Sequence, residues 1–94
     1  MTDINIIVNK DKSRVEALDG DKLIGLADFK LKGSTLDAYH TEVNKEYSGQ
    51  GIAGRLVDEL VSHARSQGYK IYPSCSYVKK KFDTDKKYQD VDAR

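Results

Sequence analysis

Two short segments of this sequence carry side chains that can transfer protons or attack an electrophile. His40 and Glu42 lie in the first half of the chain, and Cys75 and Tyr77 lie in the second half. An imidazole has an unperturbed pKa of about 6.5, so His40 is a candidate general base at neutral pH. A thiolate is a strong nucleophile, which makes Cys75 a candidate for covalent catalysis. Glu42 could orient the imidazole or act as the base through water, and Tyr77 could protonate a leaving group.

Each of these side chains also has a purely structural interpretation. His40 shares its predicted strand face with two apolar residues and could be a hydrogen-bonded core histidine. A cysteine without a partner is most often a small buried hydrophobe with an unreactive thiol. Glu42 could be an exposed carboxylate, and Tyr77 could pack against the core. The residues alone leave both interpretations open.

A glycine-rich segment immediately before an amphipathic helix is a candidate phosphate-binding turn. It comprises Ser48, Gly49, Gln50, Gly51, Ile52, Ala53 and Gly54. Glycines let a backbone approach a ligand closely, and the first N–H groups of a helix have no partner within the helix. Together with the positive end of the helix dipole, these donors suit a pyrophosphate. The alternative is a tight turn that needs glycine only for its dihedrals, and the spacing matches neither a P-loop nor a Rossmann fingerprint.

The spacing of apolar residues changes from strand-like to helical near residue 51, and this change separates the elements that must position these side chains. Before that point, apolar residues recur in four short segments that we predict as strands: Ile4 to Asn9, Arg14 to Leu18, Lys22 to Leu31 and Thr35 to Val43. Short turns join them, among them Asp19-Gly20, whose glycine tolerates the positive φ of a tight hairpin. We therefore predict an antiparallel meander of four strands.

The fourth predicted strand carries the acid–base candidates. Strict alternation assigns its residues to two faces, with Leu36, Ala38 and His40 on one and Tyr39, Thr41 and Val43 on the other. Glu42 then lies on the same face as His40. This arrangement would let the carboxylate contact the imidazole.

A helical period follows the glycine-rich segment. The apolar residues that share one face are Ile52, Leu56, Val57, Leu60, Val61 and Ala64. Gly68 follows them, where a left-handed helix cap is expected. Tyr69 to Ser74 is a fifth predicted strand, which can lie parallel to the fourth through a right-handed crossover because a helix intervenes. A short helix from about Ser76 to Phe82 and a polar tail with Tyr88 complete an α+β fold.

Length and composition bound the class of protein. The 94 residues, 38% apolar and 33% charged, predict one globular domain over residues 1–94. A net charge of +1 lacks the basic excess of a nucleic-acid binder, and no apolar run approaches the roughly 18 residues of a membrane span. No signal peptide opens the sequence, so we expect a cytoplasmic protein, and we expect a monomer. Cys75, His40 and His63 lack metal-ligand spacing, and His63 is predicted to be solvated.

Taken together, these motifs resemble the GNAT superfamily of acetyl-CoA-dependent N-acetyltransferases. The superfamily signature, Gln/Arg-x-x-Gly-x-Gly/Ala, is matched from Gly51 onward by Ser48-Gly49-Gln50-Gly51-Ile52-Ala53. Ser48 replaces the leading Gln or Arg, which is a departure from the pattern. The segments His40–Val43 and Pro73–Val78 narrow the resemblance to the small Yjdj-type branch, which has about this length. The resemblance covers nearly the whole chain.

The resemblance implies how acetyl-CoA would bind and react. In GNATs the fourth and fifth strands splay apart, and the pantetheine arm lies between them. Here backbone groups of Thr41, Glu42 and Val43 would bond that arm, and Gly49–Gly54 would take the pyrophosphate. An amine would attack the acetyl thioester, with a backbone N–H of the splayed strand stabilising the oxyanion. The resemblance to the Yjdj-type branch favours Cys75 as a nucleophile that first accepts the acetyl group.

The sequence departs from larger GNATs on the acceptor side. Those proteins carry two helices between the first and second strands, whereas here only Lys10 to Ser13 join them. An open acceptor side favours a protein or peptide amine over a small molecule. The missing helices and Ser48 leave a CoA-binding module with little catalysis as the alternative, while Cys75 and His40 favour the enzyme. Lysines 79–81 could attract the 3′-phosphate of CoA or simply be solvated.

Overall fold

The computed structural model describes residues 4–94. Its strands are β1 (Ile4–Asn9), β2 (Arg14–Asp19), β3 (Lys22–Lys32), β4 (Thr35–Val43) and β5 (Lys70–Pro73). Its helices are α1 (Ile52–Gln67) and α2 (Ser76–Thr84), and 3₁₀ segments occupy Lys45–Tyr47 and Lys86–Val91. Among these described elements, no helix is long and apolar enough to cross a membrane. Residues 1–3 of the predicted domain lie outside the described residues.

The five strands form one sheet whose spatial order is the order of the sequence. Neighbours from β1 to β4 are antiparallel, whereas β5 runs parallel to β4. Gly20 and Gly33 lie in the β2–β3 and β3–β4 turns of the meander with φ of 58° and 62°, a left-handed conformation that glycine adopts without a Cβ clash. The predicted fold, an antiparallel meander followed by a helix and a parallel strand, is confirmed.

Helix α1 supplies much of the core that covers one face of the sheet. The predicted apolar face is buried: Ile52, Leu56, Val57, Leu60, Val61 and Ala64. It packs with buried strand residues such as Phe29 and Leu36 in a single core cluster. Gly68 ends the helix in the left-handed conformation with φ of 74°, and its N–H donates to carbonyls of the last turn. The predicted helix and its glycine cap are confirmed.

The C-terminal segment packs on the core instead of forming the predicted polar tail. Tyr88 and Val91 are each only 2% exposed. The Tyr88 ring stacks on Phe82 of α2 with the ring centroids 5.2 Å apart, and its hydroxyl donates to Asp58 of α1 at 2.5 Å. Two buried apolar residues among exposed polar neighbours hold this segment against the core, and their spacing gives no strand or α-helical period.

A β-bulge in the pairing of β3 and β4 overturns the predicted faces of the second half of β4. Phe29 pairs with Ala38 but Asp28 pairs with His40, which leaves Tyr39 without a partner in the register. An extra residue on one strand interrupts the alternation of its side chains. His40 therefore leaves the face on which Ala38 is buried, and its side chain is 51% exposed. The interpretation of His40 as a core histidine is wrong.

Candidate functional site

Strands β4 and β5 pair over only part of β4, and this divergence creates the candidate site. Thr35–Ala38 pairs with Lys70–Pro73, and the Cys75 N–H extends this contact by donating to the Ala38 carbonyl at 2.8 Å. Beyond that bond, residues 40–43 pair with β3 only, and Tyr39 is the unpaired bulge residue. Within residues 4–94, the outward backbone groups of this segment have no strand partner. Such groups can bind an extended ligand that carries amides.

The glycine-rich segment lies beside this opening and leads into the N-terminus of α1. Gly49 and Gly51 have φ of 81° and 74°, and Gly51 is the N-cap residue. Among the described residues 4–94, no side chain caps α1, so its first N–H groups remain available to a ligand. The adjoining pocket, of about 270 Å³, is lined by Val43, Tyr47, Ser48, Gly49, Gly51, Ile52, Ala53, Gly54 and Tyr77. The predicted phosphate-binding residues other than Gln50 thus line one pocket with the end of β4.

The first turn of α1 approaches side chains of α2 at Gly54. A Cβ on this residue would lie 3.4 Å from Nζ of Lys81 and 3.7 Å from the hydroxyl of Tyr77. Nζ of Lys81 also lies 6.0 Å from the centroid of the Tyr77 ring, a cation–π distance. A positive side chain and the positive end of the α1 dipole therefore meet at one place, and both favour an anion there.

Cys75 lies where the paired region of β4 and β5 ends, as the N-cap residue of α2. Its Sγ is 3.6 Å from Oγ1 of Thr41, which connects α2 with the unpaired half of β4. Burial acts to raise the pKa of the thiol, but hydrogen bonds from the Val78 backbone, Thr41 and the Tyr77 backbone lower it further than burial raises it. The net lowered pKa increases the thiolate fraction at neutral pH.

His40 and Glu42 lie together on the other face of β4. Nε2 of His40 is 3.5 Å from Oε1 of Glu42, and both side chains are more than half exposed. Because successive residues of a strand point to opposite faces, Thr41 points toward Cys75 while its two neighbours point away. The groups that lower the pKa of Cys75 accordingly do not include His40. The opening is thus flanked by a thiol on the helix side and by an imidazole–carboxylate pair on the open side.

Two residues of this region were not among the predicted site residues. Tyr47 lines the pocket of the glycine-rich segment, and its hydroxyl donates to the Asp19 carboxylate at the tip of the β2–β3 hairpin. Lys81, one of three lysines predicted either to attract the 3′-phosphate of CoA or to be solvated, reaches the N-terminus of α1. The spacing of Tyr77 and Lys81, one helical turn apart, could have signalled a shared face. Nothing in the sequence signals the contact between Asp19 and Tyr47.

His63 is not the solvated residue that its polar neighbours predict. Its ring centroid lies 6.2 Å from that of Phe29 and 6.3 Å from that of Tyr69. Burial lowers the pKa of the imidazole, Lys10 lowers it further, and Glu59 opposes the shift. His63 lies toward the C-terminal end of α1, whereas the glycine-rich segment precedes the N-terminal end. It therefore belongs to the packing of the helix and not to the candidate site.

Comparison with solved structures defines the class of protein. A GCN5-like protein from Staphylococcus aureus, determined by NMR in solution, matches with a TM-score of 0.76 and 27% identity over 97% of this chain and 89% of its own. The ribosomal-protein-S18-alanine N-acetyltransferase from Escherichia coli matches with a TM-score of 0.59 and 15% identity over 62% of this chain and 38% of its own. A putative acetyltransferase of the GNAT family from Desulfovibrio desulfuricans matches with a TM-score of 0.60 and 19% identity over 74% of this chain and 51% of its own. The fold is that of the GNAT N-acetyltransferases, and this chain covers about half or less of the latter two.

The sequence match assigns the family. Residues 14–91 match the family described as GCN5-related N-acetyl-transferase. The chain belongs to this family and is an acyltransferase. The resemblance of its motifs to the GNAT superfamily is confirmed, and its short length is compatible with the Yjdj-type branch.

Proposed function

We propose that this protein is an acetyl-CoA-dependent N-acetyltransferase that uses the opening between β4 and β5. The observation that carries the proposal is the coincidence of two features. Among the described strands, none pairs with the outward backbone of residues 39–43. This backbone adjoins a helix N-terminus that no described side chain caps, in a glycine-lined pocket. Acetyl-CoA has a matching pair of chemical features, an arm with two amide groups and a pyrophosphate.

Each part of the opening has a proposed binding role. Backbone groups of Thr41, Glu42 and Val43 bond the pantetheine arm as an additional strand would. The N–H groups of Gly49–Gly54 hold the pyrophosphate, as helix N-termini hold phosphates. Lys81 adds a positive charge at the same helix N-terminus. Ser48, at the position of the signature's leading Gln or Arg, lines the pocket and offers a hydroxyl in place of a longer side chain.

The acetyl group is activated as a thioester, and the protein's residues move protons around it. The acceptor amine attacks the carbonyl carbon, a C–N bond forms, the C–S bond breaks, and the CoA thiolate leaves. A backbone N–H in the unpaired half of β4 stabilises the oxyanion. His40, adjacent to Glu42, takes the proton of the attacking amine on the open face. Tyr77 lines the phosphate pocket, so we assign it to binding and not to protonation of the leaving thiolate.

Cys75 allows a second route to the same product. Its partly exposed thiol has a lowered pKa and lies beside the unpaired half of β4, so it could accept the acetyl group before the amine does. Acetyl-CoA alone would then add one acetyl group to the protein, and neutral hydroxylamine would remove it. Cys75→Ala should lose both the adduct and turnover. An unmodified Cys75 and full turnover in Cys75→Ala would instead establish direct attack by the amine.

The geometry of the acceptor side favours a protein or peptide amine. Only residues 10–13 connect β1 and β2, so no helix lies between these strands in the part of the chain that the structure describes. The side chains of His40 and Glu42 remain more than half exposed, and a flexible amine-bearing segment can reach them without entering a closed cavity. A cytoplasmic location and a monomeric state stay predictions of the sequence.

The test is to incubate the protein with acetyl-CoA labelled in the acetyl group and with lysine-containing peptides, free peptide amines and small polyamines. Mass spectrometry follows the label on acceptors and on the protein, while thermal unfolding reports binding of CoA. Transfer to an amine supports the enzyme. Binding of CoA without any transfer would replace this proposal by a CoA-binding module. An absence of any thermal shift with CoA would contradict both.

A further inference from the structure

The turn that leads into the glycine-rich segment is tied to the tip of the β2–β3 hairpin. The Tyr47 hydroxyl donates to the Asp19 carboxylate. Nζ of Lys22 lies 3.7 Å from Oε2 of Glu46 and 5.8 Å from the centroid of the Tyr47 ring. One hairpin therefore contacts two successive residues of the 3₁₀ turn Lys45–Tyr47. The ion pair is exposed and adds little, so the phenol–carboxylate bond is the stronger tie.

The start of the same turn is held by backbone and side-chain bonds of Asn44. Its N–H donates to the Ile24 carbonyl at 2.7 Å, and its side-chain oxygen accepts from the Glu46 N–H at 2.9 Å. Its carbonyl accepts from the Tyr47 N–H at 2.9 Å. The turn is thus fixed to β3 at its beginning and to the hairpin tip at its end.

Beyond Tyr47 the chain has little local restraint of its own. Gly49 and Gly51 occupy left-handed conformations, and a Cβ on either would meet nothing within 4 Å. Glycine has the largest backbone freedom to lose, so such a segment depends on its flanking residues for a defined position. On one flank is α1, which is buried in the core, and on the other is Tyr47.

We propose that Tyr47 is a positioning residue, held by Asp19, that fixes the glycine-rich turn for binding the pyrophosphate of CoA. This inference rests on the proposed function. Tyr47 lines the pocket together with the turn, and its ring packs against the core, so the hydroxyl is the part of the side chain that the hairpin restrains. Without that bond the ring keeps its apolar contacts but the turn loses its tie to the hairpin.

The chain contains a matched control for this bond. The Tyr88 hydroxyl donates to Asp58 at 2.5 Å, and this second phenol–carboxylate pair joins the C-terminal 3₁₀ segment to α1. Tyr88 does not line the glycine-rich pocket. Replacing either tyrosine with phenylalanine removes one hydroxyl and retains one ring. The two variants differ in whether the lost bond supports the proposed phosphate-binding turn.

The experiment measures CoA affinity by calorimetry and acetyl-CoA kinetics for wild type, Tyr47→Phe and Tyr88→Phe. We expect Tyr47→Phe to raise the Kd for CoA and the KM for acetyl-CoA about tenfold, the equivalent of one net hydrogen bond, with kcat nearly unchanged. Asp19→Ala should have the same effect, and the double variant should be no worse than either single one. Tyr88→Phe should lower the melting temperature but leave the Kd unchanged.

Three results would overturn the inference. If folded Tyr47→Phe binds CoA as wild type does, the bond has no role in positioning the turn. If Tyr88→Phe weakens CoA binding equally, the effect reflects general stability. If wild type itself does not bind CoA, the proposed function fails together with this inference, whereas the first two results leave that function intact. Should Tyr47→Phe not fold, Asp19→Ala and the milder Asp19→Asn, which keeps an acceptor, give the same comparison.

Discussion

The two halves of β4 belong to one strand but have different surroundings. Thr35–Ala38 has a strand on each side, β3 and β5, and its residues Leu36 and Ala38 are each 1% exposed. Residues 39–43 have a strand on one side only, and two of their side chains, His40 and Glu42, are more than half exposed. One half therefore contributes to the core, and the other half presents backbone groups and acid–base side chains at the candidate site.

This difference shows how a small domain can combine a stable core with a reactive opening. Unpaired strand edges tend to pair with other chains and are usually protected. Here the unpaired edge is flanked by the first turn of α1, which approaches side chains of α2 at Gly54. The bulge at Tyr39 separates the two halves. If the comparison is correct, substitutions in the two halves should affect different properties of the protein.

His40→Ala is expected to have the largest effect, on the rate of transfer. Loss of a general base typically slows a reaction about 10²–10⁴-fold, while the exposed side chain contributes little to stability. Steady-state kinetics should therefore show a large fall in kcat, with the Kd for CoA and the melting temperature close to wild type. Equal losses of binding and turnover would contradict the assignment of His40 as the base.

Leu36→Ala is expected to have the largest effect on stability. Leu36 is 1% exposed and pairs with Ile71 across the parallel ladder, so truncation should cost about 2–5 kcal/mol. Urea unfolding measures this change, and kcat per folded molecule should be retained. Glu42→Gln, in the other half, should change stability by no more than about 0.5 kcal/mol. Similar destabilisation by both substitutions would remove the proposed distinction between the halves.

Gly51→Val tests the turn that adjoins the unpaired half. Its φ of 74° is left-handed, so valine should cost at least about 1–2 kcal/mol and hinder the approach of a phosphate. CoA at 100 times its Kd stabilises a folded protein by about 2.7 kcal/mol, and this gain should largely disappear. Gly33→Val is the control. Gly33 also has a positive φ, 62°, and a Cβ there would meet nothing within 4 Å, but this residue lies in the β3–β4 turn and not in the glycine-rich segment. If CoA raises the melting temperature of folded Gly51→Val as much as that of wild type, the placement of the pyrophosphate is refuted.

Thr41→Val is expected to have the smallest effect, on the pH dependence of Cys75 alkylation. The lowered pKa predicts that wild type reacts with iodoacetamide below the free-thiol value of about 8.5, and loss of the Thr41 hydrogen bond should move the curve to higher pH. Because the thiol of Cys75 ionises more easily in the folded protein than in the unfolded chain, its ionisation contributes to the free energy of unfolding. This contribution is fully present above the pKa of the unfolded chain and is lost as the pH falls through the pKa of the folded protein. Thr35→Val, in the paired half, should leave the curve unchanged. If Thr35→Val moves the alkylation curve as far as Thr41→Val does, the two halves of β4 do not differ in their effect on Cys75.

The elements of the fold could be predicted because their signals are local. The helical spacing from Ile52 to Ala64 reflects one face that must be buried. Gly20, Gly33 and Gly68 occur where the backbone needs positive φ, which few other residues adopt. The motif around Gly51 likewise pointed to the correct family, because a glycine-rich turn is encoded by consecutive residues.

The parts that the sequence did not predict depend on contacts between distant residues. Alternation placed His40 on the same face as Leu36 and Ala38, and the Tyr39 bulge reversed that placement because register is settled by pairing with β3. Tyr88 appeared to belong to a polar tail, yet the space between α2 and α1 buries it.

The sequence by itself determined the strands, the main helix, the glycine turn and the family, since each arises from the periodicity or conformational freedom of neighbouring residues. Tertiary structure alone decided which side chains face the opening and which residues hold it in place. Asp19 and Tyr47 are 28 positions apart, and Thr41 and Cys75 are 34 apart. Contacts of this kind exist only after the sheet and helices have packed, because packing and not sequence proximity sets the distance between the partners.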